Sequence, residues 1–113
     1  MQIKQALFSV FGENNLDSIN TNVSPSKIME WKASDKTKSC YKKLFTPISS
    51  DPIDTYMARI LAKLWPTTIL SDMKIAYAIT VCQVTLSQHY EKFTMREDIV
   101  KDRLIKNLVS KIN

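Results

Sequence analysis

The apolar positions of this chain recur mostly at helical intervals. In "QIKQALFSVF", residues 2–11, Ile3, Leu7 and Phe11 repeat at every fourth position with Phe8 and Val10 beside them. Gly12 follows as a natural stop, so the spacing predicts a short helix. Residues 13–22, "ENNLDSINTN", are turn-forming with only Leu16 and Ile19 as anchors, which leaves room for a brief helix at most. Ser24 followed by Pro25 supplies a side-chain acceptor and a preset φ, so a helix is expected from Pro25 with Ile28 and Trp31 inward. A further short helix is expected from about Lys36 to Phe45, ending before Pro47.

The second half carries stronger signals. Asp51 as cap and Pro52 as first residue predict a helix through Trp65, with Ile53, Met57, Ile60, Leu61 and Leu64 on one side and Pro66 as its stop. Ser71 caps a long helix to about Phe93, whose first half is apolar on all sides, as expected of a central helix. Its β-branched residues, Ile79, Thr80, Val81, Val84 and Thr85, would also suit a strand. About twenty residues pass without a turn signal, which favours the helix. Thr94 and Glu97 form a capping box for a last helix to Ile112. Val100, Leu104, Ile105, Leu108, Val109 and Ile112 share one face of it, opposite Arg96, Arg103 and Lys106.

Composition agrees with an all-α protein. The chain of 113 residues has a single glycine, which leaves few positions suited to tight hairpin turns. The expected fold is one compact domain over residues 1–113, a bundle of four to six helices with a long central helix near 71–93. "TPISSD", residues 46–51, is where an N-terminal lobe (1–46) would meet a C-terminal three-helix unit (51–113). The longest uncharged stretch, Ile75 to Tyr90, is too polar and slightly short to span a bilayer. The first fifteen residues hold no continuous apolar run and no cleavage site, so no export leader and no membrane association are expected. Cys40 and Cys82 are 42 positions apart with no metal-ligand spacing, which fits reduced thiols in the cytoplasm.

Charge is where composition points toward a partner. The net charge is +5, and thirteen of the sixteen bases are lysine. Residues 27–43 hold Lys27, Lys32, Lys36, Lys38, Lys42 and Lys43 against Glu30 and Asp35, a local excess of +4. Residues 1–26 sum to −1, residues 44–90 balance, and residues 91–113 sum to +2. An anionic partner is therefore expected near 27–43.

That basic stretch adjoins "VSPSKIMEWK", residues 23–32. With Val23 placed just after a turn, Asn22 occupies the turn, Ser18 the small position of a preceding helix, and Ile28 and Trp31 the inward anchors of the following one. Ser24, Ser26, Lys27 and Glu30 then face outward with Lys32 beside a phosphate. The arrangement resembles the helix-turn-helix of small phage-repressor-like regulators over roughly residues 3–45. The resemblance implies a second helix lying in the DNA major groove. Asp17 and Thr21 depart from it where apolar residues are wanted, and no arginine or glutamine stands on the reading face. The competing view is a solvated basic segment whose Trp31, Tyr41 and Phe45 pack against the C-terminal helices.

Catalytic patterns are lacking. His89 is the sole histidine, and Cys82 lies seven residues before it on one helix, about two turns or ~10 Å away, too far for a thiol–imidazole pair. No glycine-rich loop is present to cradle a phosphate. The expected protein is therefore non-catalytic and regulatory, with no cofactor and no metal. Its leading function is nucleic-acid binding through region 14–43, using Ser26, Lys27, Lys32, Lys36, Lys38, Lys42 and Lys43 together with Arg96, Arg103 and Lys106. The alternative is a protein-binding adaptor or inhibitor, of immunity or anti-host type, that engages an acidic protein. Under either function, any exposed part of the C-terminal apolar faces would suit a homodimer.

Overall fold

The computed structural model describes residues 2–20, 22–67 and 69–90. Among these, five helices follow one another: α1 (Ile3–Phe11), α2 (Pro25–Ala33), α3 (Asp35–Lys43), α4 (Tyr56–Leu64) and α5 (Asp72–Leu86). Sheet structure among the described residues is limited to one isolated antiparallel bridge, Pro47 to Thr55. The fold is all-α and compact. Its Cα radius of gyration is 13.9 Å, close to the ~13 Å expected for a packed chain of this length. The helix expected over 95–112 lies outside the described residues.

Helix α1 forms where its apolar spacing places it and buries Ala6, Leu7 and Phe11. It ends at the sole glycine. Gly12 has φ 78° and ψ 161°, a region occupied essentially by glycine alone, and its N–H bonds to the Phe8 carbonyl at 2.9 Å. The Gly12 carbonyl then accepts from the N–H groups of Asn15 and Leu16, turning the chain so that Leu16 is buried.

No helix forms between residues 13 and 20, although a brief one could have been accommodated. The segment is held instead by side chains of other elements. The Trp31 indole donates to the Asp17 carbonyl at 2.8 Å, and the Cys40 thiol donates to the Asn15 carbonyl at 3.1 Å.

Helix α2 starts at Pro25 as expected, but the Ser24 hydroxyl meets Ser26 Oγ at 3.1 Å and caps no backbone N–H. A single residue, Ser34, joins α2 to α3. Its hydroxyl donates to the Trp31 carbonyl at 2.8 Å and accepts from the Thr37 N–H at 3.3 Å, ending one helix and starting the next. Helix α3 therefore begins at Asp35 and stops at Lys43, two residues short of Phe45.

The helix expected from Asp51 starts later. The Asp51 carboxylate accepts from the Ile53 N–H at 3.0 Å, which folds 51–54 into a turn and leaves Ile53 exposed. Thr55 is the true cap of α4, accepting from the Ala58 N–H at 3.1 Å. The loop is braced by the Ile48 N–H to Asp54 carbonyl bond of 2.7 Å and by a bidentate Asp54–Arg59 pair.

Ser71 caps α5 as expected, accepting from Lys74 N–H at 3.2 Å. The helix is shorter than expected and stops at Leu86, because residues 87–90 turn away. Met73, Lys74 and Tyr77 in its first half are exposed, and enclosure on nearly every side begins only at Thr80. Thr80 and Thr85 fit a buried helix by donating their hydroxyls to the carbonyls four residues earlier, each at 2.7 Å.

Helix α5 packs against α1, α3 and α4, and α1 packs against α4. Leu7, Leu16, Leu44 and Ile60 are wholly buried in the shared core. Each contributes roughly 1.5–3 kcal/mol by leaving water. Aromatic contacts extend it: Phe11 stacks on Tyr56 at 4.4 Å, and Phe8 meets Trp31 at 5.9 Å.

Candidate functional site

The six lysines of residues 27–43 do not share one environment. On α3, Thr37 and Cys40 face inward, followed by Leu44. At ~100° per residue this leaves Lys36, Lys38, Lys42 and Lys43 on the remaining arc, and all four are exposed. Lys38 and Lys42 stand one turn apart along one edge. Lys36 and Lys43 occupy the other edge, where Lys36 Nζ reaches Asp17 Oδ1 at 3.0 Å. Tyr41 is about one-third exposed and Phe45 is half-exposed beside them. Ser26 and Lys27 are exposed on α2.

Lys32 differs from the rest. Its residue exposure is 0%, which removes it from a surface that could rest against a phosphate backbone. Its ammonium donates to the Val84 carbonyl at 2.8 Å and to the Tyr90 carbonyl at 2.6 Å. Val84 is in the last turn of α5, where carbonyls lack helical partners, so a cation here also complements the negative end of that helix. Burial lowers the Lys32 pKa to about 8, with the nearby positive charge of Lys4 acting in the same direction. Lys4 is itself lowered by burial.

The expected helix-turn-helix is not formed. Its first helix would need residues 13–21, and residues 13–20 form turns and irregular backbone without a helix. A turn does occur before α2, with the Val23 N–H on the Asn20 carbonyl at 3.3 Å, but residues 13–20 leading into it form no helix. Arg96, Arg103 and Lys106 lie outside the described residues.

A cleft of about 280 Å³ opens between α3 and the turn after α5. Lys38, Tyr41 and Lys42 form one wall, Leu86 to His89 form the other, and Lys32 closes the inner end. No described carboxylate lines it. Sequence reading did not associate His89, Ser87 or Gln88 with the lysines, because they come together only when α5 packs on α3.

Both thiols are poor nucleophiles. Burial pushes the Cys82 thiol up to about 12 and the Cys40 thiol up to about 11, with Lys43 opposing the latter. Among the described residues, no group of three His, Cys, Asp or Glu side chains is placed to hold a metal ion. No described helix is long and apolar enough to cross a membrane. No protein-family model, curated protein or solved structure matches this chain.

Proposed function

We propose that this is a small, non-catalytic regulatory protein of the cytoplasm that binds nucleic acid through its lysine-rich α3 face. The observation that carries the proposal is the exposed arc of Lys36, Lys38, Lys42 and Lys43, with Tyr41 and Phe45 at its edge. Lysine ammonium groups on such an arc are phosphate contacts, and the aromatic side chains offer faces for unpaired bases. With the helix-turn-helix pattern unmet, recognition is by charge and shape, with little reading of base edges. Ser26 and Lys27 are exposed on α2, and Lys27 would add to the positive field.

The direct test is fluorescence anisotropy of labelled random duplex and single-stranded oligonucleotides across salt concentrations. Four lysine–phosphate contacts predict a loss of affinity of about 10²-fold between 50 and 200 mM salt. Absence of binding at 50 mM salt rejects the proposal.

A second reading, an adaptor for an acidic protein, draws on a different region. Met73 and Tyr77 lie one turn apart on α5 and are exposed, and Ile69 just before the helix is almost fully so. Exposed apolar side chains of this kind suit a protein contact. Recovery of an acidic protein whose binding is broken by Tyr77→Asp would favour this reading.

A further inference from the structure

We propose that the cleft between α3 and the α5 end is a seat for a phosphomonoester carried on an aromatic base, either a free mononucleotide or the 5′ end of a strand. The strand-end form rests on the nucleic-acid reading above, and the mononucleotide form does not. Three features of the cleft carry the inference.

The first is uncompensated charge. Lys38 and Lys42 are four residues apart on one helix, an arrangement in which like charges repel. Neither makes an ion pair among the described residues, and no described carboxylate lines the cleft. A dianion between them removes the repulsion. A phosphomonoester carries about −1.5 to −2 near neutral pH, against −1 for each internal phosphodiester, so the terminal group matches two ammonium groups better.

The second is the floor. A helix C-terminus ordinarily repels an anion. Here the Lys32 ammonium occupies the α5 end, bonded to the carbonyls of Val84 and Tyr90. The partial negative charge that would oppose a phosphate is thereby met from inside the protein. Ser87 and His89 add polar side chains at the opposite wall.

The third is size and lining. A volume of about 280 Å³ sits just below the ~300 Å³ at which small-molecule sites begin. A space of this size excludes a duplex and is on the scale of a single nucleotide. Tyr41 and Leu86 supply apolar surface for a flat base.

The test uses the full chain and two probes. In NMR titrations, AMP should shift the amide signals of Ser87, Gln88, His89 and Tyr41, whereas adenosine should not. In anisotropy, a 3′-labelled oligonucleotide with a 5′-phosphate should bind about tenfold or more tightly than its 5′-hydroxyl counterpart. Lys42→Gln should weaken both responses. His89→Ala should reduce the AMP response and the 5′-phosphate preference. If AMP shifts the cleft and the two oligonucleotides bind equally, the free mononucleotide is the ligand. Equal oligonucleotide binding with no AMP response overturns the cleft site and leaves the proposed function standing. No oligonucleotide binding with a clear AMP response rejects the nucleic-acid reading and keeps the site. An AMP response spread equally over Lys27, Lys36 and Lys43 is nonspecific association and overturns it.

Discussion

Lys32 at the end of α2 and Lys42 at the end of α3 are the same residue type in the last turn of two consecutive nine-residue helices. One is sealed inside the protein and the other stands in water. The difference follows from what lies on the same face of each helix. Lys32 follows Ile28 by four residues and Trp31 by one, so its stem runs along the inward stripe. Lys42 falls on the outer side of a helix whose inward residues are Thr37 and Cys40. A lysine in the inward stripe is tolerable only because two backbone carbonyls receive its ammonium. Equal formal charge therefore serves two ends: Lys32 supports the fold, and Lys42 is available to a ligand.

The sharpest way to break this comparison is Lys32→Ala. It leaves a cavity and strips the Val84 and Tyr90 carbonyls of a charged donor. A loss on the order of 3–5 kcal/mol is expected by urea unfolding, since each bond to a charged group contributes about 1.5–3 kcal/mol. Lys38→Ala combined with Lys42→Ala should leave the unfolding curve almost unchanged. If the two sets of changes cost the same, the distinction between structural and surface lysine is wrong.

The next largest effect is on affinity. Lys38→Glu with Lys42→Glu should reduce oligonucleotide binding by about 10²-fold or more at 50 mM salt, because two attractive contacts become repulsive. Circular dichroism should show the helices intact. Retained binding would move the contact surface away from α3.

The pH dependence of stability sharpens the comparison further. Lys32 has a folded pKa of about 8, below its ordinary value near 10.5, so between these limits the unfolded chain binds more protons than the folded one. Stability should therefore rise from about pH 8 upward. The neutral amine still has two N–H donors for its two carbonyls. Cys40 and Cys82, pushed up to about 11 and about 12, act in the opposite direction above pH 9, where the unfolded thiols ionise and the folded ones do not. The expected profile climbs from pH 8, then flattens or falls above 9. Lys32→Met should remove the climb and keep the fall. A wild-type profile level between 8 and 9 contradicts the assignment.

The smallest effect is expected at Lys36. Its pair with Asp17 is exposed on both sides, so Lys36→Ala should change stability by no more than about 0.5 kcal/mol, measured in low salt. A larger loss would place Lys36 with Lys32 and not with its neighbours on α3.

Much of the local architecture was legible in the residues. The apolar spacing of Ile3, Leu7 and Phe11, the stop at Gly12, the preset φ of Pro25 and the Ser71 cap each specify their element within one turn. The signal that Lys32 is buried was also present, because Ile28 and Trp31 fix the inward stripe on which it falls. Its charge drew it toward the surface group instead. One misplaced boundary has a local cause: at the start of α4, Asp51 closes an Asx turn where a helix cap was expected, and Thr55 takes the cap.

The sequence by itself thus determined an all-α chain, the approximate place of each described helix and a basic segment on α2 and α3. Tertiary structure alone decided which lysines face solvent together and where α5 ends. It also decided that Lys38, Lys42 and His89 share a cleft. The physical reason is distance along the chain. Caps, turns and helical stripes act over three or four residues, whereas Lys32 meets Val84 across 52 positions and Trp31 meets Asp17 across 14. Such contacts are set by how the helices close on one core, and no local pattern encodes them.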